Sequence, residues 1–353
     1  MREKEHLMKR SLLIIGIVLL CVSATLYAEE SVLINFNDLT ADYPADNPAE
    51  NTATMIDFSS VAGTQFTEEE KEAMKTSLAM SNWRVQLASS SQTVENERRS
   101  MTKTAPVGEN SRWFPNENVM GVRVHFPEQA YNSWAMVKPP FEIPAFADVT
   151  ELQDGDLIVP QDQQGRGSKF VNYGVVKNIG VIRSITVSVH GLNFPHGLGL
   201  ILENENGEER QIFIGYLDFN GWKELTWQNP NYVTDVRNRE LRRYPLYPKA
   251  APYLKLKGII FYRDASMSGG NFISYIHDIK LTYDKAVLEL ERGINDEQVW
   301  GILQEREERR KQIEMRRLGE LQILEMLEER KMHETGATEG QNGGNQGDQG
   351  GED

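Results

Sequence analysis

From about residue 32 to residue 284 apolar and polar side chains alternate with period two, and no cysteine lies in that span to staple what they form. Met120, Val122, Val124 and Phe126 alternate with Gly121, Arg123 and His125; Ile185, Val187 and Val189 alternate with Thr186, Ser188 and His190. In a strand successive side chains point to opposite faces, so each run buries one row and wets the other. Similar runs lie at 32–37, 83–88, 198–203, 210–218, 223–227, 254–262 and 273–283. Asn206-Gly207 and Asn220-Gly221 predict hairpin turns, because both residue types tolerate positive φ. Many strands, divided by Gly, Asn and Pro turns with few helices between them, predict a mainly β chain folded as an antiparallel jelly-roll sandwich.

Two helices are expected beside the sandwich. Thr67 followed by Glu68, Glu69 and Glu70 is a capping box and predicts a small early helix over 68–80. At Ile294 the pattern changes: Asn295 can cap and Gln298 answers it three residues on, so 296–333 reads as one long C-terminal helix of about 57 Å. Its middle, 304–312, holds no apolar residue and carries Glu305–Arg309 and Glu307–Lys311 pairs in the favourable order. Its end regains apolar residues, and Ile313, Leu318, Leu321, Leu324 and Leu327 are the candidate partner-binding side chains. Such an end either meets a partner or folds back along its own sandwich. The Gly-rich acidic stretch 336–353 buries too little to order itself and is expected to be a disordered tail.

Lys9 and Arg10 precede an apolar run over 12–22, then Leu26-Tyr27-Ala28 and two glutamates. A bilayer span needs about 20 apolar residues, so the run predicts a signal peptide over 1–28 rather than a membrane anchor. Cleavage after Ala28 is expected, with Ala24 as a competing site. The predicted organisation is a signal peptide over 1–28, a sandwich over 29–292, a charged helix over 293–335 and a tail over 336–353. Cleavage removes Cys21, the sole cysteine, and with it any disulfide or thiol chemistry. Stability must then come from a large apolar core. With 52 acidic against 38 basic residues the net charge is −14, which argues against a nucleic-acid partner.

Catalytic patterns are missing. No His-Glu-x-x-His, Gly-x-Ser-x-Gly or P-loop occurs; Gly165-Arg166-Gly167-Ser168-Lys169 has the residues of a phosphate loop in the wrong order. Neither catalysis nor a cofactor is expected. His277 falls on an apolar row with Tyr275, Ile279 and Leu281 and reads as a hydrogen-bonded core residue. Asn37, Asp38 and Asp278 are candidate Ca²⁺ ligands, since first and last strands are often neighbours in jelly rolls; they supply three of the 6–8 oxygens calcium takes. Trp222 and Trp227 flank a strand and form either a sugar platform or part of the core.

Several stretches carry a resemblance. Lys138-Pro139-Pro140-Phe141-Glu142-Ile143-Pro144 is one, and Asn178-Ile179-Gly180-Val181-Ile182 leading to His190-Gly191-Leu192-Asn193-Phe194-Pro195 is another. Gly221-Trp222-Lys223-Glu224-Leu225 and Tyr275-Ile276-His277-Asp278-Ile279 complete the set. With the export signal and charged C-terminal stretch, the chain resembles the FlaA family of spirochaetal flagellar filament outer-layer (sheath) proteins. The last two segments also resemble galactose-binding-like jelly rolls and carbohydrate modules. The family resemblance implies a non-enzymatic structural role: coating the flagellin core of a flagellum that turns in the periplasm, against core subunits and neighbouring copies of itself. The alternative from another class is a soluble periplasmic carbohydrate-binding module.

Overall fold

A computed structural model describes residues 28–42, 53–57, 74–145, 169–241 and 252–286 as continuous stretches, with short pieces at 151–153, 156–158, 244–245 and 288–289 and scattered positions at 59, 67, 71 and between 299 and 324. The remainder of the predicted signal peptide, residues 1–27, and the tail 336–353 lie outside the described residues. In chain order the main strands are β1 (Glu29–Asn35), β2 (Arg84–Leu87), β3 (Met101–Pro106), β4 (Asn118–Phe126), β5 (Ser133–Lys138) and β6 (Val175–Lys177). They continue with β7 (Ile179–Leu192), β8 (Gly197–Asn204), β9 (Glu209–Tyr216), β10 (Asn220–Gln228), β11 (Tyr253–Arg263) and β12 (Gly270–Lys285).

These strands form two six-stranded antiparallel sheets, as the alternation predicts. The first runs β10-β7-β12-β4-β3, with β1 on the far half of β12, where β4 has ended. The second runs β9-β8-β11-β5-β2, with β6 added to β11. The inward rows meet in one buried cluster: Met120, Val122, Val124 and Phe126, Ile185, Val187 and Val189, Leu198, Leu200 and Leu202, and Ile259, Phe261, Phe272, Ile276, Ile279 and Leu281. Each such side chain contributes about 1.5–3 kcal/mol when fully buried, which is the reserve a thiol-free fold draws on.

The helices depart from the sequence reading. Among the described residues no continuous long C-terminal helix is found: the α-helical elements are α1 (Val94–Arg99) and α2 (Tyr232–Leu241), both short. Beyond Gly301, whose φ of +59° is the left-handed region that ends helices, the described positions 302, 304–306, 308, 309, 312, 313, 316, 319 and 324 have helical geometry. The described residues of its polar middle, 304–306, 308, 309 and 312, are exposed, and tertiary packing supplies most helical stability. The early helix is also shorter than expected. Lys71 donates its N–H to the Thr67 carbonyl, but Lys75–Thr76 is already a strand, paired with Ile56–Asp57. α1 lies instead in a stretch the alternation leaves unassigned; Thr93 caps it, Glu95 and Glu97 sit in its first turn and Arg98 and Arg99 in its last.

Candidate functional site

The outward face of the first sheet carries polar and aromatic side chains in cross-strand rows. Register places His190 between Trp222 and Tyr275, and Ser188 between Glu224 and Asp278. Between Ser188 and Val189 the partner on β12 jumps from Asp278 to Ile276, so His277 is an extra, bulged residue. This corrects the apolar row predicted for it: Ile279 and Leu281 face the core, while His277 turns to the loop covering this face. The unbroken period two assumed across the bulge is what misplaces it.

The His277 ring donates from Nδ1 to Asp278 Oδ2 at 2.8 Å and from Nε2 to Glu117 Oε2 at 2.6 Å. Ser188 donates its hydroxyl to Asp278 Oδ1 at 2.7 Å. Phe114 lies flat on His277, with centroids 3.5 Å apart and planes 8° from parallel, and meets Trp222 edge-on at 5.1 Å. Phe114 and Asn116 hold this geometry with φ of +51° and +63°, a region costly for a phenylalanine. Burial disfavours the charged ring of His277, but the two carboxylates outweigh it and its pKa is raised above 6.5. Burial likewise disfavours the Asp278 carboxylate, and the bonds from His277 and Ser188 outweigh it, so its pKa is lowered.

A raised folded pKa makes the His277 contribution full below its unfolded value and lost as pH rises through the folded one. The chain is therefore expected to lose stability on the alkaline side, and His277→Gln to flatten that loss. Urea midpoints at about pH 6 and about pH 9 test it; an unchanged difference in the variant would contradict the assignment.

β1 does lie beside β12, with Asn35 opposite Asp278. Asn37 Oδ1 accepts from the Asn118 N–H at 2.9 Å, while both Asp278 oxygens are engaged by Ser188 and His277. Asp38 is exposed in the turn after β1. Among the described residues no group of three or more His, Cys, Asp and Glu is arranged to hold a metal ion. Trp222 and Trp227 do not share a platform: Trp222 packs with Phe114 and His190 outside, while Trp227 packs against the core with Arg210 over its ring. Of the C-terminal candidates, Ile313 and Leu324 are 61% and 57% exposed; Leu318, Leu321 and Leu327 lie outside the described residues.

The outward face of the second sheet has two halves that period two alone does not separate. At one end Lys255, 3% exposed, pairs with Glu142 at 2.7 Å and Glu203 at 2.8 Å. Lys257 reaches Glu203 at 2.9 Å and Glu142 at 3.4 Å. Glu142 belongs to the Pro-Pro segment, so this quartet pins that strap onto β11. At the other end the rows are apolar: Phe213, Gly199, Ile260 and Met136 in one, and Tyr216, Gly197, Tyr262 and Trp134 in the next. The glycines are needed there. A Cβ on Gly197 would lie 2.7 Å from the Phe213 ring, and one on Gly199 would lie 3.0 Å from that of Tyr262. Phe213 and Tyr216 are 44% and 55% exposed, and their rings meet edge to face at 5.1 Å. Large exposed aromatic groups in one patch mark an interaction surface.

Residues 47–292 match the model of the family described as "Flagellar filament outer layer protein Flaa". A flagellar filament outer layer protein of Spirochaeta aurantia is 46% identical over 317 residues, covering 90% of this chain and 91% of that one. One from Treponema pallidum (strain Nichols) is 42% identical over 324 residues, covering 90% and 92%. Among solved structures, TmCBM61 in complex with β-1,4-galactotriose matches 58% of this chain and 90% of its own at 11% identity, with a TM-score of 0.26. A family 11 carbohydrate-binding module from Clostridium thermocellum gives 12% identity and a TM-score of 0.24, covering 60% and 91%.

Proposed function

The chain belongs to the flagellar filament outer layer protein family, and we propose that it is laid down as a structural outer layer, or sheath, around the flagellin core of a flagellum and supports motility. The observation that carries this is the identity of 46% across nine-tenths of both chains with a filament outer layer protein. Identity at that level across nearly the whole of both chains is a likeness of the whole sequence rather than of one motif.

The finer parts of the reading are that residues 1–28 direct export, that the protein works in the periplasm, and that it touches core subunits and other copies of itself without catalysing a reaction. β1 starts at Glu29, the residue after the expected cleavage site, and pairs there with Tyr283. The aromatic end of the second sheet and the exposed Ile313 and Leu324 are among the apolar groups that the described residues present for contact.

Fractionation of cells tests the reading. The protein is expected to pellet with intact flagellar filaments and to be released when the outer layer is stripped from them. Recovery in the soluble periplasmic fraction, with filaments that lack it, would overturn the structural role and favour a free carbohydrate-binding module.

A further inference from the structure

We infer that the free edge of β9, with Phe213 and Tyr216 on its outward side, is the seam through which one copy of this chain packs against a second copy. This rests on the outer-layer reading, which requires many copies side by side.

An edge strand offers unpaired N–H and C=O groups, and proteins guard such edges with charge, proline or brevity. β2 has four residues, the first of them Arg84. β3 carries Lys103 and ends on Pro106. β10 carries Lys223 and Glu224. β9 differs: after Glu209 and Arg210 it runs Gln211-Ile212-Phe213-Ile214-Gly215-Tyr216 with no charge and no proline. That is the composition of a segment prone to pair with another chain. Among the described residues no strand pairs with its outer edge. Ile212 and Ile214 are buried in the core, so the strand is fixed from within while its outward side is open.

The register of β9 on β8 shifts between Leu198 and Gly199, leaving Ile214 as a bulge. A bulge bends an edge away from simple strand addition. The rings therefore anchor the contact more than a continued ladder does. Tyr and other aromatic side chains are what such anchors are commonly made of. The tilt of 66° between Phe213 and Tyr216 gives an uneven knob, suited to a packed protein surface rather than to the flat face of a sugar ring.

Charge selects the second copy as occupant. A chain of net charge −14 repels its own kind. Two copies approach at least cost where the strand presents no carboxylate, and 211–216, bounded by the exposed Glu209 and Asp218 and flanked by the half-buried Tyr262 and Trp134, is such a stretch. An uncharged patch meeting its own copy is self-complementary, the requirement of a two-fold contact.

Sedimentation equilibrium of the purified full chain, from about 1 to about 100 µM, tests this. The wild type is expected to associate reversibly. Phe213→Lys with Tyr216→Lys is expected to weaken association by about 30-fold or more, with its circular dichroism and melting midpoint retained. Tyr216→Lys alone, which spares the Gly197 floor under Phe213, is expected to weaken it by a smaller factor. A wild type that stays monomeric, or a folded double variant that associates as the wild type does, overturns the seam. Parallel co-sedimentation with stripped filaments separates the two readings. If the wild type associates with itself but ignores filaments, the seam stands and the outer-layer reading falls. If it is monomeric yet binds filaments, and the double variant does not, this face meets the core and the seam is overturned.

Discussion

Lys255→Met is expected to cost about 3–5 kcal/mol of folding stability, the usual result of removing one partner from a buried ionic cluster. The ammonium sits on β11 with 3% of the residue exposed and is held by Glu142 and Glu203 at 2.7 and 2.8 Å. Burial disfavours its charge, but the bonds and charges of the two glutamates more than compensate, and its pKa is raised. Once it is gone, Lys257 alone faces both carboxylates, from 2.9 and 3.4 Å. Glu142 is then left with half its anchor, and the strap that carries Phe141 and Ile143 into the core should loosen. Urea unfolding measures the loss as a fall in midpoint. Adding Glu142→Gln should recover part of it, because a neutral amide is cheaper to bury unpaired than a carboxylate. A variant as stable as the wild type would mean that the cluster is solvated and that the strap is held by its apolar residues alone.

The sandwich was legible because its signal is local. Alternation over 120–126 and 185–189 fixes which row is inward, and those rows are the core the structure shows. The departures arise where a distant partner decides. His277 is turned outward by a bulge that depends on how β7 meets β12, and period two cannot reveal it. Phe114 lies well before the strand it covers, at a positive φ no propensity assigns to it. The Asn206-Gly207 turn forms with only Gly207 at positive φ, at +78°. There the Asn204 side chain accepts the N–H groups of residues 206 and 208, so a side chain closes the turn in place of a second strained residue. The C-terminal helix was over-read for a related reason. An i,i+4 pair is worth tenths of a kcal/mol and a cap about 1, too little to hold a long helix whose described polar residues between 304 and 312 are exposed. The aromatic end of the second sheet was within reach, since Gly197 and Gly199 alternate in a strand where bulky residues would be expected. That spacing signals rings lying across the sheet.

Stability should also fall on the acid side, and His196 is the group responsible. Its ring is 2% exposed, between Phe272 at 4.7 Å and Phe126 at 5.1 Å, and neither ring nitrogen has a hydrogen-bond partner. Burial, aided by the nearby Arg263 charge, pushes its pKa down to about 4. The sign is opposite to that of His277. A depressed folded pKa means the unfolded chain takes the proton first, so stability is whole above about pH 6.5 and drains as pH falls toward about 4. The shift corresponds to a loss on the order of 3 kcal/mol across that window. His196→Leu should remove this slope, and it should raise stability at neutral pH by relieving two unsatisfied buried nitrogens. Melting midpoints of both chains between about pH 4 and about pH 7 measure it. A slope that persists unchanged in the variant would place the acid sensitivity at groups other than His196. With His277 lost on the alkaline side and His196 on the acid side, maximal stability should lie between the two. Only the acid limb should respond to substitution at His196.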